Sequence, residues 1–228
     1  MFTYLIINIL TILIPFLFSF ERRVGFYKKW RFILPAIIIT AVIFIVWDQI
    51  FTVNGIWGFN PEYLTGIYLF DLPIEELLFF FCIPYACLFI YAVIDYIKPK
   101  LNFELSAKRI LIILSLIIII LGLVNVSKTY TSVIFITTGI FTLFLIRFVQ
   151  SDYYSRFLLF FIITLVPFLI VNTILTGGLP SVSPEPIVWY DNTKNLMIRI
   201  GTIPIEDFVY NFLLLFLNVT LFDFLRRR

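Results

Sequence analysis

The 228-residue sequence contains no histidine and only two cysteines, and 14% of its residues are charged. The absence of histidine excludes haem ligation by His, His-based zinc sites and His proton relays. Cys82 and Cys87 are five residues apart, so they lie on different faces of a helix and predict neither a metal pair nor a disulfide. Any acid–base chemistry must therefore use carboxyl groups.

Motifs of phosphate and redox enzymes are missing as well. The sequence has no G-x-G-x-x-G motif for a Rossmann dinucleotide site, and Gly177-Gly178 is an isolated pair. It also has no P-loop and no aspartate pair of the kind that holds Mg²⁺ and diphosphate in membrane prenyltransferases. We therefore expect no cofactor and no metal site.

What the sequence has in excess is apolar residues, with a mean hydropathy of +1.04. A membrane-spanning helix needs roughly 20 of them, and soluble domains carry about 25% charged residues. The runs are continuous rather than alternating, so they predict an all-α membrane protein of about seven transmembrane helices and not a barrel. They are Phe2 to Phe20, Phe32 to Val53, Ile74 to Ile97, Ile110 to Val126, Thr131 to Phe148, Phe157 to Thr176 and Ile205 to Leu225.

The basic residues predict the orientation in the membrane. No positive segment precedes the first run and no small-residue cleavage site follows it, so we expect the first helix to be retained. All but three of the 17 basic residues fall on one side, the exceptions being Lys128, Lys194 and Arg199. Because Lys and Arg of short loops stay in the cytoplasm, we expect a bacterial-type plasma membrane protein with its N-terminus outside and its C-terminus cytoplasmic.

Two parts of the chain resemble each other. Pro73-Ile74-Glu75-Glu76 is followed 131 positions later by Pro204-Ile205-Glu206-Asp207. The ends of the preceding helices match as well, at an offset of 124 between Thr52 and Thr176. The sequence thus predicts two three-helix repeats, residues 1–100 and 129–228, joined by a connector helix in 101–128. Since the connector restores the chain direction, the repeats are expected to be parallel.

The duplicated acids are the candidate catalytic residues, namely Glu75, Glu76, Glu206 and Asp207. A structural interpretation is that they cap helices, because acids in a first turn meet the positive end of the helix dipole. A catalytic interpretation is that an apolar pocket keeps one acid protonated, so that it gives a proton while its partner accepts one. Duplication favours catalysis. Adjacent residues point about 100° apart on a helix, so we expect one acid of each pair to face the interior. The sequence does not decide which of the two it is.

Two further polar residues lie at the predicted depth of these acids. Asp48 ends the second helix, and its repeat counterpart is Asn172. Two interpretations of Asp48 stay open, a hydrogen bond to the acids of the third helix or contact with interfacial water. Arg199 is one of the few basic residues expected on the outer side. If it pairs with Glu206 or Asp207, it would lower the pKa of that acid, which would indicate that the second repeat is structural.

Aromatic residues make up 19% of the chain. Most are expected to be membrane-facing or part of an interfacial belt. A second interpretation is a pocket in which ring faces stabilise a carbocation without offering a nucleophile. Trp47, Trp57 and Phe79 are the aromatic candidates for substrate binding, beside Asp48 and Asn172.

The motifs together resemble the membrane lycopene cyclase domain family. The resemblance rests on the loop Glu21-Arg22-Arg23, on Trp47-Asp48, on Ile56-Trp57-Gly58-Phe59-Asn60-Pro61, and on the segment from Leu72 to Phe81 that contains the acids. It covers nearly the whole chain, which looks like a fused form of the two-subunit bacterial enzymes and is similar to the cyclase part of fungal bifunctional lycopene cyclase/phytoene synthases.

The resemblance implies cofactor-independent cyclisation of the ψ ends of lycopene to β rings, or to ε or γ rings, by an intramolecular lyase or isomerase. Glu75 or Glu76 and Glu206 or Asp207 would be the acid and the base. Asn172 departs from Asp48 of the first repeat, and some relatives use C50 carotenoids. The implied partners are a carotenoid drawn from the bilayer and membrane lipid, without nucleic acid, and either a second copy or other carotenoid-pathway enzymes.

A rival hypothesis is a non-catalytic carrier of lipid or protons, or a structural partner of a carotenoid enzyme complex. The cyclase hypothesis predicts that Glu75→Gln or Glu206→Gln abolishes ring formation while the protein stays in the membrane. In a carrier these changes would alter transport, and no new pigment would form.

Overall fold

The computed structural model describes residues 2–97, 104–147 and 153–227. These residues form seven α-helices, as the sequence predicts. The helices are α1 (Thr3–Phe18), α2 (Trp30–Val53), α3 (Ile74–Ile97), α4 (Glu104–Val124), α5 (Thr129–Leu145), α6 (Tyr153–Leu175) and α7 (Ile205–Arg227). The all-α prediction is confirmed, although α4 and α6 begin several residues earlier than expected. The predicted helix end at Phe148, the repeat boundary after residue 100, and Lys98, Lys100 and Arg228 lie outside the described residues.

Five of the described helices are long and apolar enough to cross a membrane, namely α2, α3, α4, α6 and α7. The other two, α1 and α5, have 16 and 17 residues. At about 1.5 Å per residue they extend roughly 24 to 26 Å, less than the roughly 30 Å of a hydrocarbon core. The sequence overestimates α1 because Phe20 extends the apolar run past the residue at which the helix ends, whereas α5 begins two residues before the predicted Thr131.

The outer surface of the bundle is apolar. Along α4, for example, Ile113, Leu116 and Ile120 are exposed, and α1, α2 and α6 present similar side chains outward. Soluble monomers rarely expose contiguous apolar patches larger than a few hundred Å². Acidic side chains such as Glu75 and Glu206 lie instead in the interior. This distribution fits a hydrocarbon surrounding and not water.

Helices α3 and α7 form the centre of the bundle. Helix α3 packs against α1, α2, α6 and α7, and α7 also packs against α2, α5 and α6. Helix α4 lies on α5 and α6 at the periphery. A side chain at Gly139 of α5 would come within 2.7 Å of the Ser115 carbonyl oxygen of α4. The absence of a side chain therefore permits the close approach of α4 and α5, as small residues do in membrane helix pairs.

Short antiparallel strand pairs order the loops at one end of the bundle. Strand β1 (Trp57–Phe59) pairs with β4 (Val188–Tyr190), so the two long loops join each other. The pairs β2 (Tyr68–Leu69) with β3 (Leu72–Pro73) and β5 (Arg199–Ile200) with β6 (Ile203–Pro204) run directly into α3 and α7. The first turns of α3 and α7 are thereby fixed beneath the loops.

Ion pairs tie the opposite end together. Asp95 of α3 lies 3.0 Å from Arg156 of α6, 2.6 Å from Arg226 of α7 and 3.9 Å from Lys29, which precedes α2. Arg226 also contacts Asp223 at 3.3 Å. These partly buried groups link three helices and the start of a fourth at the end that carries most of the basic residues.

Candidate active site

A cavity of about 300 Å³ lies beneath the paired loops, among α1, α2, α3, α6 and α7. Most of its wall is aliphatic or aromatic. Three carboxyl groups reach it, from Asp48 of α2, Glu76 of α3 and Asp207 of α7. All three side chains are buried. The fold therefore brings together one acid from each duplicated pair and the aspartate in the last two turns of α2.

Glu76 is held in place by α1. The Tyr4 hydroxyl donates a buried hydrogen bond to Glu76 Oε2. One turn further along α1, Asn8 donates from Nδ2 to the carbonyl oxygen of Glu75 at 2.8 Å. Both bonds fix α1 against the first turn of α3. Two helices, and no loop, thus set the position of this carboxyl group at the cavity wall.

Asp207 occupies the corresponding position of the second Pro-Ile-Glu motif and is held by two tyrosines. Tyr130 of α5 donates to Oδ1 at 2.5 Å, and Tyr190 of β4 donates to Oδ2 at 2.7 Å. Burial and then the charge of Asp207 raise the pKa of Tyr190 well above its ordinary value, so its phenol remains a donor. Because hydrogen bonds to a carboxylate favour its charged form, the two phenols partly offset the loss of hydration that burial imposes on Asp207.

Asp48 is held by Trp57, whose indole Nε1 donates to Oδ1 at 2.5 Å. Within the described chain, its second oxygen, Oδ2, is buried without a hydrogen-bond partner. An unpartnered buried carboxylate oxygen is costly, whereas a protonated carboxyl group tolerates the site better. Neither interpretation left open by the sequence describes Asp48. Contact with interfacial water does not fit because only 1% of Asp48 is exposed, and among the described residues its hydrogen bond comes from Trp57 and not from an acid of α3.

Glu75 and Glu206 do not line the cavity. Each accepts a hydrogen bond from a backbone N–H ten residues earlier, Glu75 from Thr65 at 2.6 Å and Glu206 from Leu196 at 2.8 Å. Glu206 also accepts from the Thr131 hydroxyl at 2.6 Å. Both glutamates are fully buried beneath the strand pairs that they anchor. Their position fits the capping interpretation of the sequence, while Glu76 and Asp207 fit the catalytic one.

The residues that the structure describes around the cavity provide no countercharge to these acids. None of the described residues that line it is lysine or arginine. Three carboxylates in an apolar cavity would repel one another and lose hydration, so they cannot all be ionised together. At least one is therefore protonated at neutral pH, which leaves a Brønsted acid and a base in one space. Among the described residues, no three carboxyl or thiol groups are grouped closely enough to hold a metal ion.

The candidates for substrate binding fall into two groups. Asp48, Trp57, Phe79 and Asn172 line the cavity. Asn172 also donates from Nδ2 to the carbonyl oxygen of a residue one turn earlier in α6, at 3.1 Å. Trp47 lies instead beside a groove between α2 and α5. It contributes to the cavity only indirectly, by packing against aromatic rings of α2 and α7.

Arg199 is directed away from the acids. Its guanidinium group donates to the Thr202 carbonyl oxygen at 2.6 Å and to Asn192 Oδ1 at 2.9 Å. It also lies over the ring of Tyr190, 5.7 Å from the centroid. In the described part of the chain it forms no ion pair with Glu206 or Asp207. It contacts Tyr190, whose hydroxyl in turn donates to Asp207.

Sequence reasoning missed the hydroxyl groups of the cavity, which belong to Tyr4, Tyr130, Tyr190 and Tyr210. Tyr4 and Tyr130 each follow a threonine at the start of the first helix of a predicted repeat, and an alignment extended to those helices would have paired them. The hydroxyl of Tyr210 and Nδ2 of Asn211 are buried without a partner among the described residues. Tyr210 is the one tyrosine among the aromatic residues of α7, but the sequence does not show that its side chain reaches the cavity.

Comparison with known proteins gives one match. A sequence model described as lycopene cyclase matches residues 1–94 and 127–225, most of the chain. The matched segments contain all three carboxyl groups of the cavity and leave out all of α4. The resemblance noted from the motifs is thereby confirmed. No curated protein and no solved structure matches the chain.

Proposed function

We propose that the chain, which belongs to the lycopene cyclase family, closes rings at the ψ ends of a linear carotenoid such as lycopene by proton transfer alone. One observation carries the proposal. Glu76 and Asp207, from the two copies of one motif, meet in an apolar cavity that has no basic lining residue among those described. Such a cavity suits a hydrocarbon and can still supply an acid and a base.

In the proposed reaction, Glu76 acts as the acid. Its proton adds to the terminal double bond of the substrate and leaves a tertiary carbocation. The electron pair of the internal double bond then forms the new carbon–carbon bond, which closes the six-membered ring and moves the charge within it. Asp207 removes a proton from a neighbouring carbon, and that electron pair restores a double bond. The product has the formula of the substrate, so the step requires no redox cofactor.

The hydrogen bonds support this division of roles. Asp207 accepts from two phenols, which stabilise its carboxylate form, as a base requires. Among the described residues Glu76 accepts from Tyr4 alone, and its other oxygen is left to carry the transferable proton. Asp48, held only through Oδ1, is proposed to remain protonated and to keep the total negative charge of the cavity low.

Aromatic rings are proposed to stabilise the carbocation. Trp57, Phe79 and Tyr210 line the cavity with the acids. The ring of Tyr210 meets that of Trp57 edge-to-face at 5.9 Å, so packing fixes both orientations. A cation over a ring face is stabilised by roughly 0.5 to 2 kcal/mol or more when water is excluded. An aromatic surface does this without capturing the cation.

We also propose that the chain consists of two parallel three-helix repeats. The loops before α3 and α7 support this, since the left-handed residues Gly66 (φ 81°) and Phe70 (φ 56°) recur 131 positions later as Met197 (φ 59°) and Gly201 (φ 62°). The antiparallel pairing of β1 with β4 fits a two-fold axis along the membrane normal, and the two short helices α1 and α5 would be equivalent. An experimental structure in which α5–α7 failed to superpose on α1–α3 would contradict the proposal.

The orientation of the chain is proposed from its charges. Lys128, Lys194 and Arg199 are near the paired loops, and the other basic residues favour the opposite, cytoplasmic side. The cavity then lies towards the outer face of an integral membrane protein. We expect a membrane-impermeant maleimide to label Thr193→Cys in intact cells and Arg109→Cys only after permeabilisation. Both positions are exposed, whereas the native thiols are buried, and the reverse labelling pattern would exclude this orientation.

Expression in a bacterium that accumulates lycopene tests the proposed activity. We expect new pigments with the mass of lycopene and the retention of β- or γ-carotene, detected by chromatography with mass analysis. A γ-type product would show that one end closes, and a β-type product that both do. Unchanged lycopene, with the protein verified in the membrane fraction, would exclude lycopene as the substrate and favour the carrier hypothesis. A vector without the coding sequence is the control.

A further inference from the structure

We infer that the gap between α1 and α6 is a lateral opening, through which the unreacted part of a linear carotenoid lies in the bilayer while one end occupies the cavity. The inference rests on the proposed function, because the occupant is the proposed substrate. It adds to that function a route of entry, the residues that border it and an order of events.

The size of the cavity requires such an opening. A dry protein cavity of about 150 Å³ accommodates benzene, which corresponds to roughly 25 Å³ per carbon atom. At that density the cavity of about 300 Å³ holds roughly 12 carbons. This is enough for one cyclising end group, but most of a 40-carbon chain must remain outside. The chain therefore needs an exit that stays open during the reaction.

Residues of α1 and α6 mark where that exit lies. Leu10 and Ile14 of α1 and Ile170 of α6 all line the cavity. The same side chains are 61%, 63% and 60% exposed at the outer surface. A side chain that borders the cavity and also faces outward lies at an opening. Because all three are aliphatic, the opening offers a polyene an apolar border and no polar group that would lose hydration.

The helix packing explains why the gap exists. Helix α1 packs on α3, and α6 packs on α3, α4 and α7, but α1 and α6 are not a closely packed pair among the described helices. Each contains a proline that borders the cavity, Pro15 and Pro167. Proline removes a backbone hydrogen bond and keeps neighbouring turns from regular packing. The two helices thus flank the cavity without closing it.

An opening of this kind determines the order of reaction. Only one end group fits the cavity, so the two ends of a carotenoid must react in separate binding events. After the first ring closes, the molecule must withdraw through the opening before its other end can enter.

Tryptophan substitutions at the opening test the inference. Leu10→Trp combined with Ile170→Trp should narrow the gap, while Leu17→Trp with Ile162→Trp places equal bulk at positions of 60% and 62% exposure that do not line the cavity. The purified proteins are compared in lipid vesicles with lycopene and with an acyclic ten-carbon hydrocarbon that carries the same two double bonds. The short probe fits entirely inside the cavity.

We expect the first variant to cyclise lycopene more slowly by a factor of about ten or more, the effect of roughly 1.4 kcal/mol of added barrier. Its rate with the ten-carbon probe should stay near that of the wild type, and the control variant should be unaffected with both. Lycopene cyclisation at the wild-type rate would overturn the inference. Equal loss of both substrates would overturn it too, because the two positions would then control the cavity and not its entrance. If the wild type cyclises neither substrate, the proposed function itself fails.

Discussion

Glu76→Gln is expected to abolish detectable ring formation, whereas Glu75→Gln should retain most of it. Glutamine has nearly the shape of glutamate but no transferable proton, and loss of a general acid typically costs about 10²- to 10⁴-fold in rate. Glu76 borders the cavity, while Glu75 accepts the backbone N–H of Thr65, a bond that a glutamine side-chain oxygen can also accept. The measurement is the initial rate of ring formation by each purified variant in lycopene-containing vesicles.

The adjacent glutamate is the matched control for this experiment. Both substitutions replace a carboxyl group with an amide in the same turn of α3, so a general effect of this replacement on folding or insertion would change both variants alike. We expect equal amounts of the two proteins in the membrane and a large difference in rate. The opposite result, an inactive Glu75→Gln and an active Glu76→Gln, would make Glu75 the acid. It would also place the chemistry outside the cavity.

Asp207→Asn is expected to have the second-largest effect, because it removes the proposed base. An asparagine cannot take up the proton that completes the ring, and its amide would place a donor against one of the phenols of Tyr130 and Tyr190. We expect a rate loss of about 10²-fold or more. The same vesicle assay gives the rate, and deuterium exchange from the solvent into recovered substrate shows whether protonation by Glu76 still occurs.

Glu206→Gln serves as the control for the second prediction, since Glu206 is equally buried but anchors a loop. We expect a lower thermal midpoint for this variant and a rate near that of the wild type. If Asp207→Asn retains full activity, the base must be another group, and Asp48 would be the remaining carboxyl of the cavity. Deuterium incorporation without ring closure in Asp207→Asn would support the separation of acid from base.

The helices could be predicted from the sequence because their signal is a long apolar run, which depends only on composition. The strand pairs could not, since a two-residue strand such as Tyr68–Leu69 has no periodicity to detect. The C-terminal limit of α1 was also missed, because Phe20 extends the apolar run past Phe18, the last helical residue. Hydropathy therefore identifies each helix but does not determine where it ends.

The candidate site was predictable as a set of motifs and not as an arrangement. Adjacent acids such as Glu75 and Glu76 carry identical information in the sequence, and only the packing of α1 against α3 decides which one reaches the cavity. Trp47 and Trp57 present the same difficulty, since one borders a groove and the other holds Asp48. The direction in which each side chain points depends on contacts between segments that are distant in the chain. A single sequence does not reveal those contacts.

The fastening of α1 and α6 at their ends has a mechanical consequence. Tyr4 and Ser19 bond α1 to α3 near its two ends, and Arg156 and Thr176 hold α6 in the same way. Between these attachments, each helix carries its proline. Each helix is therefore held at both ends and is least constrained between them, so the two helices can separate in the middle while their ends stay in place. On the proposed route, a methyl-branched chain would pass sideways between these two helices at the level of the hydrocarbon, while the paired loops cover the acids.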